Sequence, residues 1–319
     1  MSGRFAGKPS GGESSAGGPS RGGASARASS AGEPREDSST AELLQVAVDT
    51  ATTAGLLLLE RFNGGRERDV ESKSTPTDLV SEADRLAQRC IREELALRRP
   101  RDGFLGEEEG GEEAGRSGLR WVVDPLDGTV NFLFGLPQWC VSVAAQDERG
   151  SLVGAIYDPI REELFTAVRG GEARMRTPAK ESPVDSPPTA GEPRRFEELT
   201  LQGSGREDLP TAMVATGFAY DARVRAAQAQ VLARAIPRVR DIRRFGSAAL
   251  DLAWTAAGRY DAYFERTVKP WDIAAGTVLC EAAGLRVVEL PEHEDLPWGI
   301  LVAPPALCEP LLELVGGPA

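Results

Sequence analysis

A chain of 319 residues with a formal net charge of −12 lacks the basic face that a general nucleic-acid binder or an anionic-membrane binder needs. It contains no apolar run of about 18 residues, so no membrane-spanning helix is expected, and its N-terminal tail lacks the apolar core of a secretory leader. Four scattered cysteines (Cys90, Cys140, Cys280, Cys308) form no CxxC pair, which argues against structural zinc and fits free thiols in a reducing cytoplasm. The single histidine, His293, sits in a charged run, so any hydrolytic chemistry must use carboxylates and a metal rather than a Ser-His or Cys-His pair.

Residues 1–38 are mostly Ser, Gly and Ala with Phe5 their one aromatic, and are expected to form a disordered tail, with a transit peptide as the alternative reading of its Arg, Ser and scarce acids. The remainder, 39–319, is long enough for one large catalytic domain. A first helix is predicted over 40–62, opened by a capping box between Ser39 and Glu42 and ended at Asn63-Gly64-Gly65. A second follows Pro76 with Asp78 as N-cap, carries Asp84 in its second turn, and stops at Pro100. Strands over 103–105 and 119–124 flank an acidic, Gly-rich loop. A hairpin over 140–146 and 152–157 comes next, with a third strand over 163–168. The stretch 177–210, rich in Pro, Ser and charge, reads as a surface insertion. Beyond it, strands are predicted at 212–217, 262–265, 286–289 and 299–302, with helices at 222–236, 247–257, 272–284 and 305–315. Hairpins mixed with helical layers predict an α/β sandwich rather than a barrel.

Three acidic segments carry the chemistry. In Asp124-Pro125-Leu126-Asp127-Gly128-Thr129 an apolar strand delivers Asp124, and a turn brings Asp127 back three residues later. Gly128 permits close approach of a ligand to the backbone, and the residues after it can open a helix whose free N–H groups suit phosphate. Two clustered carboxylates are costly unless a cation offsets them, and an all-oxygen set suits Mg²⁺. Gly106-Glu107-Glu108 reads either as a solvated acidic loop or as an acid placed beside Asp124 at a strand end. Trp271-Asp272-Ile273-Ala274-Ala275-Gly276 reads either as a plain N-cap or as a further metal acid, on a helix whose small residues allow close packing.

In their order and spacing these segments resemble the inositol monophosphatase family. So do Lys73, the stretch Asp78-Leu79-Val80-Ser81-Glu82-Ala83-Asp84, and Gly246-Ser247-Ala248-Ala249. The likeness runs from about residue 40 to 315. It implies a layered αβαβα sandwich of the inositol monophosphatase/fructose bisphosphatase type, Mg²⁺ dependence, sensitivity to Li⁺ and a homodimer. It implies that Glu107, Asp124, Asp127, Asp272 and the main-chain carbonyl of Leu126 ligate Mg²⁺. Thr129, paired with Asp84, would help deprotonate the attacking water. Asp127, Gly128 and Thr129 would border the phosphate, the last two through backbone amides. Ala248 and Glu265 would contact the hydroxyls of the leaving alcohol, Gly246 and Ser247 would shape the same wall, and Lys73 would stand near the metal. Val130 replaces a common threonine, and the segment after Gly170-Gly171-Glu172-Ala173 departs from the family pattern.

The expected substrate is a small phosphorylated polyol, with inositol 1-phosphate ahead of histidinol phosphate, fructose 1,6-bisphosphate and 3′-phosphoadenosine 5′-phosphate. A competing reading keeps the fold as a regulatory binding protein. Such a protein should have lost a metal acid or the Thr–Asp pair, and here the whole set is present.

Overall fold

The computed structural model describes residues 39–64, 70–72, 79–108, 112–179, 194–293 and 295–317. The expected tail over 1–38, together with Lys73 and Asp78, lies outside the described residues. The first half of the chain runs α1 (Thr40–Asn63), β1 (Val70–Ser72), β2 (Leu79–Ser81), α2 (Glu82–Arg98), β3 (Gly103–Gly106), β4 (Glu112–Glu113), β5 (Arg120–Asp127) and α3 (Thr129–Phe134). Then come β6 (Cys140–Asp147), β7 (Gly150–Asp158), β8 (Glu163–Val168), β9 (Ala173–Pro178) and β10 (Phe196–Leu201). The second half runs β11 (Met213–Thr216), α4 (Ala222–Ala235), β12 (Asp241–Arg243), α5 (Ala248–Ala256) and β13 (Ala262–Arg266). It closes with α6 (Pro270–Ala282), β14 (Arg286–Leu290), β15 (Gly299–Ala303) and α7 (Pro305–Val315).

Period-two alternation builds the layers. In the first sheet, of order β10-β9-β8-β7-β6-β5-β3-β4, Val123, Val143 and Ala155 face α1 and α2. Their neighbours Val122, Ala144 and Ile156 face α5 and α6. The second sheet has the order β12-β11-β13-β15-β14. It turns Ala215, Tyr263 and Val302 toward α5 and α6, and Val214, Phe264 and Leu301 toward α4 and α7. The result is the αβαβα sandwich. Both sheets are buried on two faces, which is why their strands read as nearly continuous apolar runs rather than as alternation.

The middle layer is tight because its residues are small. A Cβ on Gly154 would lie 2.8 Å from the Ala275 backbone, and one on Gly276 would lie 2.4 Å from Leu252. The predicted capping box opens α1: Glu42 N–H donates to Ser39 Oγ at 3.2 Å, and Ser39 N–H donates to Glu42 Oε2 at 3.1 Å. With 24 residues, α1 is long and apolar enough to cross a membrane. Its stripe of Leu43, Ala47, Ala51, Ala54 and Leu58 is instead packed into the core against the first sheet.

Three expectations are corrected. Helix α2 starts at Glu82, not after Asp78, because Leu79–Ser81 pair as a strand with β1. The acidic loop is interrupted by β4, which pairs antiparallel with β3. The stretch 177–210 is not all insertion: β9 continues to Pro178, and Phe196–Leu201 adds an edge strand to it, with Leu201 buried. Charged residues around Leu199 and Leu201 hid that strand in the sequence, and residues 180–193 lie outside the described set.

Candidate active site

Strand β5 pairs regularly with β6 up to Asp124 opposite Ser142, slips, and resumes with Asp127 opposite Cys140. Pro125 has no N–H to give, so the ladder breaks there and the two aspartates are carried to one corner. Asp124 folds into an Asx turn, its Oδ1 accepting Leu126 N–H at 3.0 Å. Gly128 then takes φ +96°, and a Cβ there would lie 2.8 Å from the Gln138 carbonyl. Only glycine meets both demands. Helix α3 starts at the next residue.

Thr129 Oγ1 donates to Asp84 Oδ1 at 2.9 Å and lies 3.0 Å from the Leu126 carbonyl. Asp84 is fully buried on the first turn of α2. The two residues lie 45 positions apart and meet because α2 packs against β5, whose end leads directly into α3.

Asp127 is tied to the start of α5. Its carboxylate accepts Ser247 Oγ–H at 2.5 Å, Ala249 N–H at 2.7 Å and Ala248 N–H at 3.2 Å. A carboxylate at a helix N-terminus satisfies otherwise orphaned donors. Burial nevertheless raises the Asp127 pKa, with these hydrogen bonds opposing the shift. Asp272, in the first turn of α6, accepts Lys269 N–H at 2.7 Å. Its pKa is pushed well above the carboxylate range by burial, then by Asp127 and by Glu107. Glu107 follows β3, where Gln88 on α2 clamps the adjoining backbone: its Oε1 accepts Glu108 N–H at 2.9 Å, and its Nε2 donates to the Glu108 carbonyl at 3.3 Å.

On the second sheet, Glu265 accepts Tyr263 O–H at 2.9 Å. Its pKa is raised to about 7 by burial, against the pull of the Tyr263 hydroxyl and the Arg244 guanidinium. Gly217 leaves room for it: a Cβ there would fall 2.0 Å from Glu265 Oε2.

One cavity of about 430 Å³ joins these groups. Glu107, Asp124, Leu126, Asp127, Gly128, Thr129, Gly246, Ala248, Glu265 and Asp272 all line it. Asp84 and Ser247 stand behind the wall, each holding a lining residue. Lys73 lies outside the described residues. Among the described residues no three His, Cys, Asp or Glu side chains are gathered tightly enough to hold a metal as they stand. Asp127 is engaged with α5 and Asp272 with Lys269, so the acids surround a common space rather than close on a point. The donor chemistry still fits a hard divalent cation. Oxygens of like charge face one cavity, two of the acids are pushed toward protonation, and a cation would relieve both conditions.

Sequence reasoning missed several residues that build the site. Asn131 donates to the Phe245 carbonyl at 2.7 Å and the Gln138 carbonyl at 2.8 Å, fastening α3 to the loop before α5. Gln88, Gly217, Phe218 and Arg244 were also missed. A lone polar residue mid-helix, or an arginine among arginines, carries no spacing signal. Only the Asp124–Asn131 stretch is dense enough to have suggested one of them.

The sequence profile described as the inositol monophosphatase family matches residues 39–314. Inositol-1-monophosphatase of Mycobacterium leprae is 40% identical over 250 residues, which cover 76% of this chain and 80% of the relative. Nus factor SuhB of Pasteurella multocida is 36% identical over 263 residues, 82% of this chain and 90% of the relative. The crystal structure of extragenic suppressor protein suhB from Bartonella henselae superposes with a TM-score of 0.73 at 33% identity, covering 86% of this chain and 98% of that one.

Proposed function

Because the chain belongs to the inositol monophosphatase family, a metal-dependent family of phosphomonoesterases, we propose that it hydrolyses inositol 1-phosphate with Mg²⁺ held by Glu107, Asp124, Asp127, Asp272 and the Leu126 carbonyl. The observation that carries this reading is the Thr129–Asp84 hydrogen bond at the rim of the cavity those acids line. Bound there, Mg²⁺ supplies a water-derived nucleophile near neutral pH and offsets charge on the phosphoryl oxygens. Thr129 passes its hydroxyl proton to Asp84 Oδ1 as its oxygen takes one from the attacking water. The Gly128 and Thr129 amides hold the phosphate, and the main work of the chain is positioning. Asp127, fixed by Ser247, Ala248 and Ala249, links that corner to the wall against which the alcohol lies. Glu265 accepts hydroxyl hydrogen bonds from the leaving polyol.

The intact Thr129–Asp84 pair favours turnover over a purely regulatory role. A homodimer is part of the same reading. Phe134, Leu136 and Phe245 are exposed, and Asn131 ties their loops side by side.

Phosphate release is measured from inositol 1-phosphate, histidinol phosphate, fructose 1,6-bisphosphate and 3′-phosphoadenosine 5′-phosphate, each with Mg²⁺, with EDTA, and with Mg²⁺ plus Li⁺. The expected result is Mg²⁺-dependent release, fastest from inositol 1-phosphate and suppressed by Li⁺. A different fastest ester moves the substrate and keeps the chemistry. Release from none of them, with Mg²⁺ shown to bind, sinks the proposal.

A further inference from the structure

Three parallel strands end together on the alcohol side of the cavity. Strand β11 runs parallel to both β12 and β13, with Ala215 level with Arg243 and with Tyr263. One to three residues further on, the same edge carries Phe218, Arg244 and Glu265, and all three line the cavity. The carboxyl ends of parallel strands are where such sheets receive ligands.

The two consecutive arginines on this edge differ. Arg243 is committed: its guanidinium pairs with Asp241 at 2.6 Å and donates to the Ile242 carbonyl at 2.9 Å. Arg244 lies over the Phe218 ring, 5.6 Å from its centroid, and forms no hydrogen bond or ion pair with any described residue. It is also folded close over the backbone, since a Cβ on Gly246 would fall 2.3 Å from its Nη1. Gly246, at φ +85°, makes that fold possible. A guanidinium placed over an aromatic ring is drawn to its face and keeps its forked donors.

We propose that Arg244, lying over Phe218, forms an anion-recognising subsite on the alcohol side, so that the enzyme takes phosphate monoesters whose alcohol carries a second anionic group in addition to neutral polyol esters. This rests on the phosphatase reading above. The charge balance supplies the need for such a cation. Glu107, Asp124, Asp127, Asp272, Asp221 and Glu265 all line the cavity, against Arg244 and Lys269 alone among its described lining residues. Lys269 adjoins Asp272, and Arg244 is the cation at the far end, where its charge also acts on Glu265 and a second anion would otherwise meet carboxylates. The planar fork suits a phosphate or a carboxylate bidentately.

Two sets of esters distinguish these anions. Fructose 1,6-bisphosphate is compared with fructose 1-phosphate and fructose 6-phosphate, and 2-phosphoglycerate with glycerol 2-phosphate. Values of kcat/KM are measured with Mg²⁺ for the unaltered chain, Arg244→Gln and Arg244→Lys. Dissociation constants are measured in parallel on the Thr129→Ala background, where turnover is slowed. The unaltered chain should prefer the doubly charged ester by about ten-fold in at least one set. Arg244→Gln should erase that preference, mainly through KM, and Arg244→Lys should keep part of it. If Arg244→Gln lowers all esters alike, or no set shows a preference in either turnover or binding, the subsite does not exist. A preference present in binding without turnover of any ester would overturn the phosphatase reading and leave the subsite standing.

Discussion

The two walls of the cavity are held in different ways. On the first-sheet wall, nearly every functional group has a fixed partner: Asp124 with the Leu126 amide, Thr129 with Asp84, Asp127 with the start of α5. On the second-sheet wall, Glu265 has the Tyr263 hydroxyl, and Arg244 lies over Phe218 and acts on Glu265 through its charge, with no hydrogen bond among the described residues. The wired wall suits a step whose geometry cannot vary, attack on phosphorus. The open wall leaves donors and acceptors for whatever alcohol arrives. On the proposed function, chemistry and choice of substrate fall to different sheets, and substitutions on the two walls should fail differently: the first in kcat, the second in KM.

The sharpest break should come from Asp272→Asn. One member of the acidic set loses its charge while the amide can still accept Lys269 N–H. Turnover should fall by about 10³-fold or more, as when a charge-stabilising group is removed. Mg²⁺ should raise the thermal midpoint of the unaltered chain by linkage and raise that of the variant much less. An unchanged Mg²⁺ response would remove Asp272 from the ligand set. Thr129→Ala should come next, with kcat lower by about 10²-fold, the usual scale for losing proton-transfer assistance. In the proposed mechanism Thr129 acts on the water rather than on the metal, so the Mg²⁺ response should survive. If kcat is kept and only Mg²⁺ affinity falls, the residue holds metal and not a proton.

This division also explains what the sequence disclosed. The wired wall was legible because it is local: Asp124, Leu126, Asp127, Gly128 and Thr129 occupy six consecutive positions, and their turn chemistry fixes their geometry. The helical stripes and the capping box of α1 were legible for the same reason. The open wall is assembled from Gly217, Phe218, Arg244 and Glu265, which come from three strands that meet only in the fold. Family resemblance supplied Glu265 and Ala248, yet nothing in the residues around Arg244 separates it from Arg243. Strands β10 and β2 escaped for a different reason. Each is short, and each is stabilised by its partner strand rather than by its own pattern.

On the open wall, Gly217→Ala should show how far Glu265 depends on its pocket. The added Cβ would occupy space 2.0 Å from Glu265 Oε2, so the carboxyl end must swing away. That end is flexible, and the fold should survive. KM for a polyol ester should rise by about ten-fold, the scale of a lost hydrogen bond to a charged group, with kcat little changed. The pH dependence sharpens the test. Glu265 titrates at about 7 because it is buried, so KM should rise as pH falls through 7 and the acceptor takes up a proton. Swung toward solvent in Gly217→Ala, Glu265 should titrate nearer an ordinary carboxyl, and the inflection in KM should move to lower pH. An inflection that stays in place would assign it to another group.

The smallest effect belongs to stability and lies between the walls. Asp251, on α5, is 1% exposed, and neither of its carboxyl oxygens has a hydrogen-bond partner among the described residues. Burial raises its pKa well above the carboxylate range, followed by the charges of Glu265 and Asp127, with Arg244 opposing them. The folded chain therefore holds a proton on Asp251 that the unfolded chain releases above about pH 4. Stability from this group is full below that pH and declines as pH rises toward the folded pKa, by at most about 1.4 kcal/mol per pH unit. Asp251→Asn keeps the shape and removes the titration. Its unfolding free energy should fall less than that of the unaltered chain between pH 5 and about pH 6, a difference on the order of 1 kcal/mol. Parallel pH profiles for the two proteins would mean that Asp251 is ionised in the fold, with Arg244 as its counter-ion. In that case Arg244 is not free to meet a substrate, and the contrast between the walls narrows.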